Sequence, residues 1–137
     1  MCPAIASSGS FVVQDAFVRA TPMKVSAGYG VIKNLTTQED RLIKATADWA
    51  GRIELHTIEK NTQGVLQMTQ VPFITVPASG ATHLAPGGYH LMLYELKKPL
   101  EVGQVVTITL HFKQSGSQAV DFKVQPITYQ PKKKAGI

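Results

Sequence analysis

The chain has 137 residues, of which 44% are hydrophobic and 17% charged, together with 11 Gly and 8 Pro. This composition is typical of one folded domain with many turns and excludes a disordered chain. No apolar run approaches the roughly 18 residues of a membrane-spanning helix. The formal net charge is +5, but much of the surplus lies in the tail segment Lys132–Lys134. Because basic residues are not interleaved with aromatic ones along a face, we expect no nucleic-acid partner.

Both ends of the chain differ in character from its middle. We expect residues 1–10 to be a flexible N-terminus and residues 129–137 to be a basic C-terminal tail. The N-terminal residues have neither the charged nor the apolar segment of a signal peptide, so we expect no signal peptide in this chain. The protein is then either cytosolic or trimmed of an export segment. Cys2 is the single cysteine, which excludes an internal disulfide. It is either an incidental residue of the terminus or the lipid-attachment residue of a lipoprotein.

Short β-type runs separated by turns follow one another from Phe11 onward, and nothing has the period of a long amphipathic helix. The clearest alternation predicts that Ile108 and Leu110 face the core while His111 faces outward. A hairpin turn is predicted at Ser115–Ser117. The sequence therefore predicts an all-β, Greek-key sandwich or barrel over residues 11–128. The main predicted strands are Phe11–Arg19, Ser26–Lys33, Leu42–Ala47, Arg52–Glu59, Val65–Thr69, Tyr89–Tyr94, Val105–Phe112 and Gln118–Ile127. An extended piece is predicted at Val71–Val76 and a further short strand at Ala81–Leu84.

Two histidines and two methionines have a spacing that brings them to one place. His90 and Met92 are two residues apart in a predicted strand, so they share one face of it. His56 and Met68 flank a turn signal at residues 61–64, Asn-Thr-Gln-Gly. A hairpin folded at that turn brings His56 and Met68 roughly opposite each other. The sequence therefore predicts a metal site formed by His56, Met68, His90 and Met92.

This donor set is neutral and soft, because it contains imidazoles and thioethers but no carboxylate or thiolate. Thioethers select Cu(I), imidazole is acceptable to it, and hard cations prefer oxygen. We therefore expect one Cu(I) ion per chain. Taken one at a time, each methionine fits a core filler and each histidine an ordinary strand residue, so the site prediction depends on the combined spacing. His83 is predicted to be a surface residue, since a Pro-Gly-Gly break separates it from the His90 strand.

With these residues identified, the chain resembles the periplasmic PCu(A)C-type copper chaperone family. The family motif is a His, an optional Met, ten residues, a Met, twenty-one residues and His-X-Met. Here His56 opens the motif, Thr57 stands at the optional position, Met68 follows residues 58–67, and His90-Leu91-Met92 follows residues 69–89. Because Thr57 stands where some members have the optional Met, the extra sulfur ligand of those members has no counterpart here. Further similar segments are Asp15–Pro22, Glu54–His56, Leu84–Met92 and Leu96–Leu100.

The resemblance implies a cupredoxin-like fold with a shallow, exposed Cu(I) site. It also implies a copper metallochaperone of the periplasm or cell envelope, with a lipid anchor at Cys2 as one option. The implied acceptor is chiefly the binuclear copper centre of cytochrome c oxidase, in subunit II, and another copper carrier or a thiol oxidoreductase is a further candidate partner. Some members have a His- and Met-rich C-terminal extension. Residues from Pro126 onward contain neither residue type, so we expect no second copper site.

Other classes of protein remain as alternatives at this point. A copper-storage or scavenging protein would use the same donors, and a β-sandwich interaction module would bind no metal. An electron-transfer cupredoxin needs a Cys ligand beside two histidines, and Cys2 precedes the first predicted strand. The sequence has neither a Gly-X-Ser-X-Gly elbow nor a His-Glu-X-X-His helix, so we do not expect an enzyme.

Overall fold

The computed structural model describes residues 11–126 and 128–129. The predicted flexible N-terminus, Cys2 and the basic segment Lys132–Lys134 lie outside this part of the chain. Within it every regular element is a strand, and no helix that could cross a membrane is found there. The strands are β1 Phe11–Arg19, β2 Val25–Asn34, β3 Asp40–Thr46, β4 Ala50–Lys60, β5 Leu66–Gln70, β6 Ile74–Val76, β7 Ala81–Leu84, β8 His90–Leu96, β9 Val105–Phe112 and β10 Gly116–Gln125.

The all-β prediction is confirmed. The bounds of β1, β7 and β9 are as predicted, while the other predicted strands shift by a few residues at their ends. Strands β6 and β7 lie in a segment with several prolines and pair with β3 and β2, respectively. Strand β6 lies within the predicted extended piece Val71–Val76, and its three residues are too few for a period-2 pattern to indicate a strand.

One continuous hydrogen-bonded path links most of the strands in the order β5-β4-β8-β2-β1-β10-β9-β3-β6, with β7 beside β2. The pairing is antiparallel except between β1 and β10, which run parallel. Buried residues from both halves of this path, such as Leu91 of β8 and Leu110 of β9, belong to one core cluster, so the path folds over into two layers. Strands β7 and β8 both pair with β2, and the turn at residues 85–89 separates them.

The core lies between these layers and is formed by alternate residues of most strands, while the edge strand β5 contributes none. On β9, Ile108 and Leu110 are fully buried while His111 is turned outward, as the alternation predicts. Leu91 and Leu93 of β8 are also fully buried, and they lie on the core face of that strand. Residues 90, 92 and 94 must then lie on the outer face, because side chains alternate along a strand.

A buried carboxylate ties the β9–β10 turn to the start of β3. One oxygen of Asp40 accepts hydrogen bonds from the backbone N–H groups of Arg41 and Gln114, both at 2.8 Å. The other accepts from the backbone N–H and the hydroxyl of Ser115, at 2.9 and 2.7 Å. The turn spans residues 113–115 rather than the predicted Ser115–Ser117, because Gly116 already begins β10. Burial raises the pKa of Asp40, but these hydrogen bonds outweigh burial and the pKa is lowered from its ordinary value.

We expect Asp40→Asn to lower the free energy of unfolding by about 2 kcal/mol, because the amide NH₂ group would face backbone donors in a buried place. The folded pKa of Asp40 is below the unfolded one, so its stabilisation is complete above about pH 4 to 5 and is lost as pH falls through the folded pKa. Urea unfolding should therefore show a gap between wild type and variant that shrinks at acidic pH.

Glu39→Gln is the control for this prediction, since Glu39 is the exposed neighbour of Asp40. It should change the free energy of unfolding by less than about 0.5 kcal/mol at any pH. A gap between wild type and Asp40→Asn that stays constant down to pH 2.5 would contradict the role given to the carboxylate.

Candidate metal centre

The register of β4 against β8 places the two predicted imidazoles side by side. His56 lies directly opposite His90 in this antiparallel pair, and Glu54 lies opposite Met92. Their neighbours Leu55 and Leu91 are also paired and face the core. His56, His90 and Met92 therefore share the outer face of the sheet, since opposite residues point to the same side.

Met68 lies on the same face but not at the predicted position. It is opposite Ile58, and Gln70 is the residue opposite His56. The predicted position, roughly opposite His56, is therefore two residues away from the observed one. The turn explains the offset. The side-chain oxygen of Asn61 accepts hydrogen bonds from the N–H groups of Gln63, at 2.8 Å, and Val65, at 3.0 Å. The turn therefore includes Val65, and its centre lies one residue later than the midpoint between His56 and Met68.

The two methionines consequently lie on opposite sides of the histidine pair along the strands. Met92 is level with Glu54 and Met68 is level with Ile58, four residues further along β4. This separation amounts to about 13 Å along the strand direction. The exposure of the two donors also differs, because Met92 is half-buried while Met68, on the edge strand β5, is 47% exposed.

Both imidazoles are buried even though they lie on the outer face, with exposures of 7% for His56 and 5% for His90. A row of rings across four neighbouring strands accounts for this. The ring centroids are 5.2 Å apart for Phe17 and Tyr29, 6.1 Å for Tyr29 and His90, and 5.7 Å for His90 and His56. The guanidinium of Arg19 covers the Tyr29 ring at 5.2 Å. Aromatic packing and a cation–π contact thus hold the histidine pair against the sheet.

The turn before β8 fixes the orientation of His90. Gly87 has φ +89°, and the N–H of Gly88 donates to the carbonyl of Ala85 at 2.9 Å. The Gly88 carbonyl oxygen is then 3.0 Å from Nδ1 of His90. Burial, together with the neighbouring His56, lowers the pKa of His90, and the bond to Gly88 offsets this only in part. The ring therefore stays neutral to lower pH than a free imidazole, and a metal ligand must be neutral.

His56 has a charged partner that the spacing of the predicted ligands does not reveal. Its Nε2 is 2.8 Å from Oε1 of Glu54, whose Oε2 accepts from Nε of Arg52 at 2.8 Å. The hydrogen bond to His56 is the main reason why the pKa of Glu54 is lowered, and Arg52 adds to it. Nδ1 of His56 is buried and has no hydrogen-bond partner. An orphaned nitrogen beside a second histidine and a thioether fits a metal ligand better than a structural histidine.

The other two histidines lie elsewhere, as predicted. His83 is exposed on β7. His111 lies on the outward side of β9, where its two ring nitrogens are 2.9 Å from the hydroxyls of Thr46 and Ser117. The pattern of predicted ligands does not include Glu54, although Glu54 contacts His56 in the site. One feature of the sequence indicates this contact, because residues 54 and 56 of a strand lie on the same face.

Comparison with known proteins shows the family. The family model described as "Putative lipoprotein LpqE-like" matches residues 11–124. "Putative lipoprotein Lxx21020" of Leifsonia xyli subsp. xyli (strain CTCB07) is 36% identical over 114 residues, which cover 82% of this chain and 68% of that protein. The chain therefore belongs to the LpqE-like family.

Solved structures of similar fold include PCuAC domains and the protein DR1885. The apo PCuAC domain from PmoF1 has a TM-score of 0.75 and 26% identity, covering 88% of this chain and 98% of that one. Apo DR1885 from Deinococcus radiodurans has a TM-score of 0.67 and 31% identity, covering 96% and 91%. Its Cu(I) form has a TM-score of 0.66 and 28% identity, covering 88% and 83%. The cupredoxin-like fold is thereby confirmed and the PCu(A)C family supported, while the spacing motif stays a prediction.

The turn that aims the Gly88 carbonyl at His90 depends on a glycine at position 87. We expect Gly87→Ala to lower the free energy of unfolding of the apo protein by about 1 kcal/mol, because an L-residue is strained at φ +89°. Gly88→Ala is the matched control, since Gly88 is not in the left-handed region and its nearest neighbour is 3.7 Å away. Equal losses in urea unfolding of the two variants would contradict this reading of the turn.

Proposed function

We propose that this protein is a copper metallochaperone that holds one Cu(I) ion with His56, His90, Met92 and Met68. The observation that carries the proposal is the pairing of His56 with His90, directly opposite each other and next to Met92. Two neutral imidazoles and a neighbouring thioether form a soft donor set, which favours Cu(I) over Zn²⁺ or Mg²⁺. The likeness to the Cu(I) form of DR1885 supports the same conclusion.

The donors have different burial, and this suits a protein that must both hold copper and release it. The two imidazoles are packed into the ring row and cannot move far. Met68 is exposed and lies on β5, which pairs only with β4 among the described strands. An incoming ligand from a partner could displace the Met68 thioether first and leave the histidines in place. Exchange would then proceed one ligand at a time without unfolding of the sheet.

The proposed place of action is the bacterial cell envelope, and the proposed acceptor is the binuclear copper centre of cytochrome c oxidase, in subunit II. The lipoprotein names of the family model and of the Leifsonia relative support an envelope location. The acceptor follows from the resemblance to PCu(A)C-type chaperones. Another copper carrier or a thiol oxidoreductase is a further candidate partner.

We expect Met92→Leu and Met68→Leu each to weaken Cu(I) binding at least about tenfold, or about 1.4 kcal/mol, because Leu keeps the volume but removes the sulfur. The measurement is an anaerobic titration of Cu(I) against a competing colorimetric chelator. Met23→Leu is the matched control, since Met23 is 67% exposed in the turn between β1 and β2. His83→Ala should also leave the affinity unchanged. Wild-type affinity in both Met68→Leu and Met92→Leu would refute the proposed ligand set.

Delivery is tested separately from binding. The Cu(I)-loaded protein is mixed anaerobically with a copper-free soluble domain of oxidase subunit II, and copper is measured in each protein after chromatographic separation. We expect copper to move to the acceptor, and to move from Met92→Leu as well, since the exposed Met68 remains in that variant. Copper that stays with the wild-type protein in the presence of excess acceptor would favour the storage or scavenging alternative.

A further inference from the structure

The carboxylate of Glu54 is fixed from both sides. Oε1 is 2.8 Å from Nε2 of His56, and Oε2 accepts from Nε of Arg52 at 2.8 Å. Arg52 is itself held, because its guanidinium lies 4.3 Å from the Tyr94 ring centroid and its terminal nitrogen is 3.1 Å from a carboxylate oxygen of Glu95. The Glu54 side chain is only 20% exposed. These contacts hold the Glu54 carboxylate with Oε1 directed at His56.

This contact determines which nitrogen of His56 carries the proton. An ionised carboxylate can only accept hydrogen bonds, so Nε2 of the neutral ring must be the N–H donor. The lone pair of the neutral ring then lies on Nδ1. This atom is buried and has no hydrogen-bond partner in the structure, so its lone pair is the one available to a metal ion.

The opposite holds for His90. Nδ1 of His90 is 3.0 Å from the carbonyl oxygen of Gly88, and a carbonyl oxygen likewise only accepts. Nδ1 must then carry the proton, which leaves the lone pair on Nε2. Two histidines that face each other across β4 and β8 are therefore held in opposite tautomers by two different acceptors.

We propose that Glu54 is a positioning residue that fixes His56 as an Nδ1 ligand, while the Gly88 carbonyl fixes His90 as an Nε2 ligand. This inference rests on the proposed metal site and adds to it the identity of the donor atoms. Metal-ligating histidines commonly donate their other N–H to a carboxylate or carbonyl, which orients the ring and raises its basicity. A bound Cu(I) ion would also satisfy the orphaned nitrogen of His56.

Silver bound to the full chain tests the donor atoms directly. Ag(I) is used as a stable probe for Cu(I), and its scalar couplings to the imidazole protons are measured by NMR. A metal on Nδ1 is three bonds from Hε1 but four from Hδ2, whereas a metal on Nε2 is three bonds from both. We expect His56 to show coupling to Hε1 alone and His90 to show coupling to both protons.

The two possible failures are distinguishable in the same spectra. Coupling of silver to both protons of His56 would mean that the metal displaces Glu54 from Nε2, which overturns this inference and leaves the proposed site intact. Coupling to neither histidine would overturn the proposed site and this inference with it.

A pair of charge-matched variants tests the role of Glu54. In Glu54→Gln the amide oxygen should turn to Arg52, which can only donate, so the NH₂ group would face Nε2 of His56 and favour the opposite tautomer. Long-range ¹H–¹⁵N spectra of the apo protein should show this change at His56 and none at His90. We expect Cu(I) affinity to fall about tenfold or more.

Glu95→Gln is the control, because it changes the charge equally and contacts Arg52 but makes no hydrogen bond with His56. It should keep the His56 tautomer and a Cu(I) affinity within twofold of wild type. A wild-type tautomer in Glu54→Gln, or equal losses of affinity in the two variants, would overturn the positioning role.

Discussion

The register of β4 against β8 brings His56 and His90 together. Side chains alternate along a strand, so a slip of one residue would move His56 to the other face and break its pairing with His90. The register is held from the core side, where Leu55 is paired with Leu91 and Ile53 with Leu93. Burial of these apolar side chains strongly disfavours a shifted pairing. The hydrophobic pattern of one face thus positions the donors of the other.

The outer face of this sheet is unusual in that it buries polar rings. Tyr29, His90 and His56 continue the row begun by Phe17, and each ring limits the movement of the next. Such packing fixes the imidazoles before any metal arrives, so binding has little ordering entropy to overcome. The exposed thioether on β5 has the opposite property, since its side chain keeps rotamer freedom. Rigid nitrogen donors and a mobile sulfur donor together account for both capture and release in the proposed function.

Features with a local signal could be predicted from the sequence. The all-β class and the face shared by His90 and Met92 follow from period-2 alternation, and Ile108, Leu110 and His111 point as that alternation requires. The exact centre of the β4–β5 hairpin could not be predicted from its turn residues alone. The Asn61 side chain accepts a hydrogen bond from Val65 and brings it into the turn, so Met68 lies opposite Ile58 and not opposite His56.

Features that depend on contacts distant in sequence could not be predicted. Asp40 bonds to residues 114 and 115, far away along the chain, and no local pattern indicates this. The contact of Glu54 with His56 is local in sequence. Its effect on the His56 tautomer follows only from the folded structure, in which Arg52 orients Glu54 and Nδ1 of His56 is buried without a hydrogen-bond partner. The choice of donor nitrogen is therefore a property of the folded site and not of the motif.

In the proposed site the paired imidazoles and the neighbouring thioethers bind Cu(I) together. X-ray absorption spectroscopy at the copper edge of the Cu(I)-loaded protein tests this most directly, because imidazole and sulfur neighbours give different scattering. We expect two imidazoles and at least one sulfur in wild type, and one imidazole fewer in His56→Ala. A copper environment without sulfur, or one that His56→Ala leaves unchanged, would contradict the proposed site.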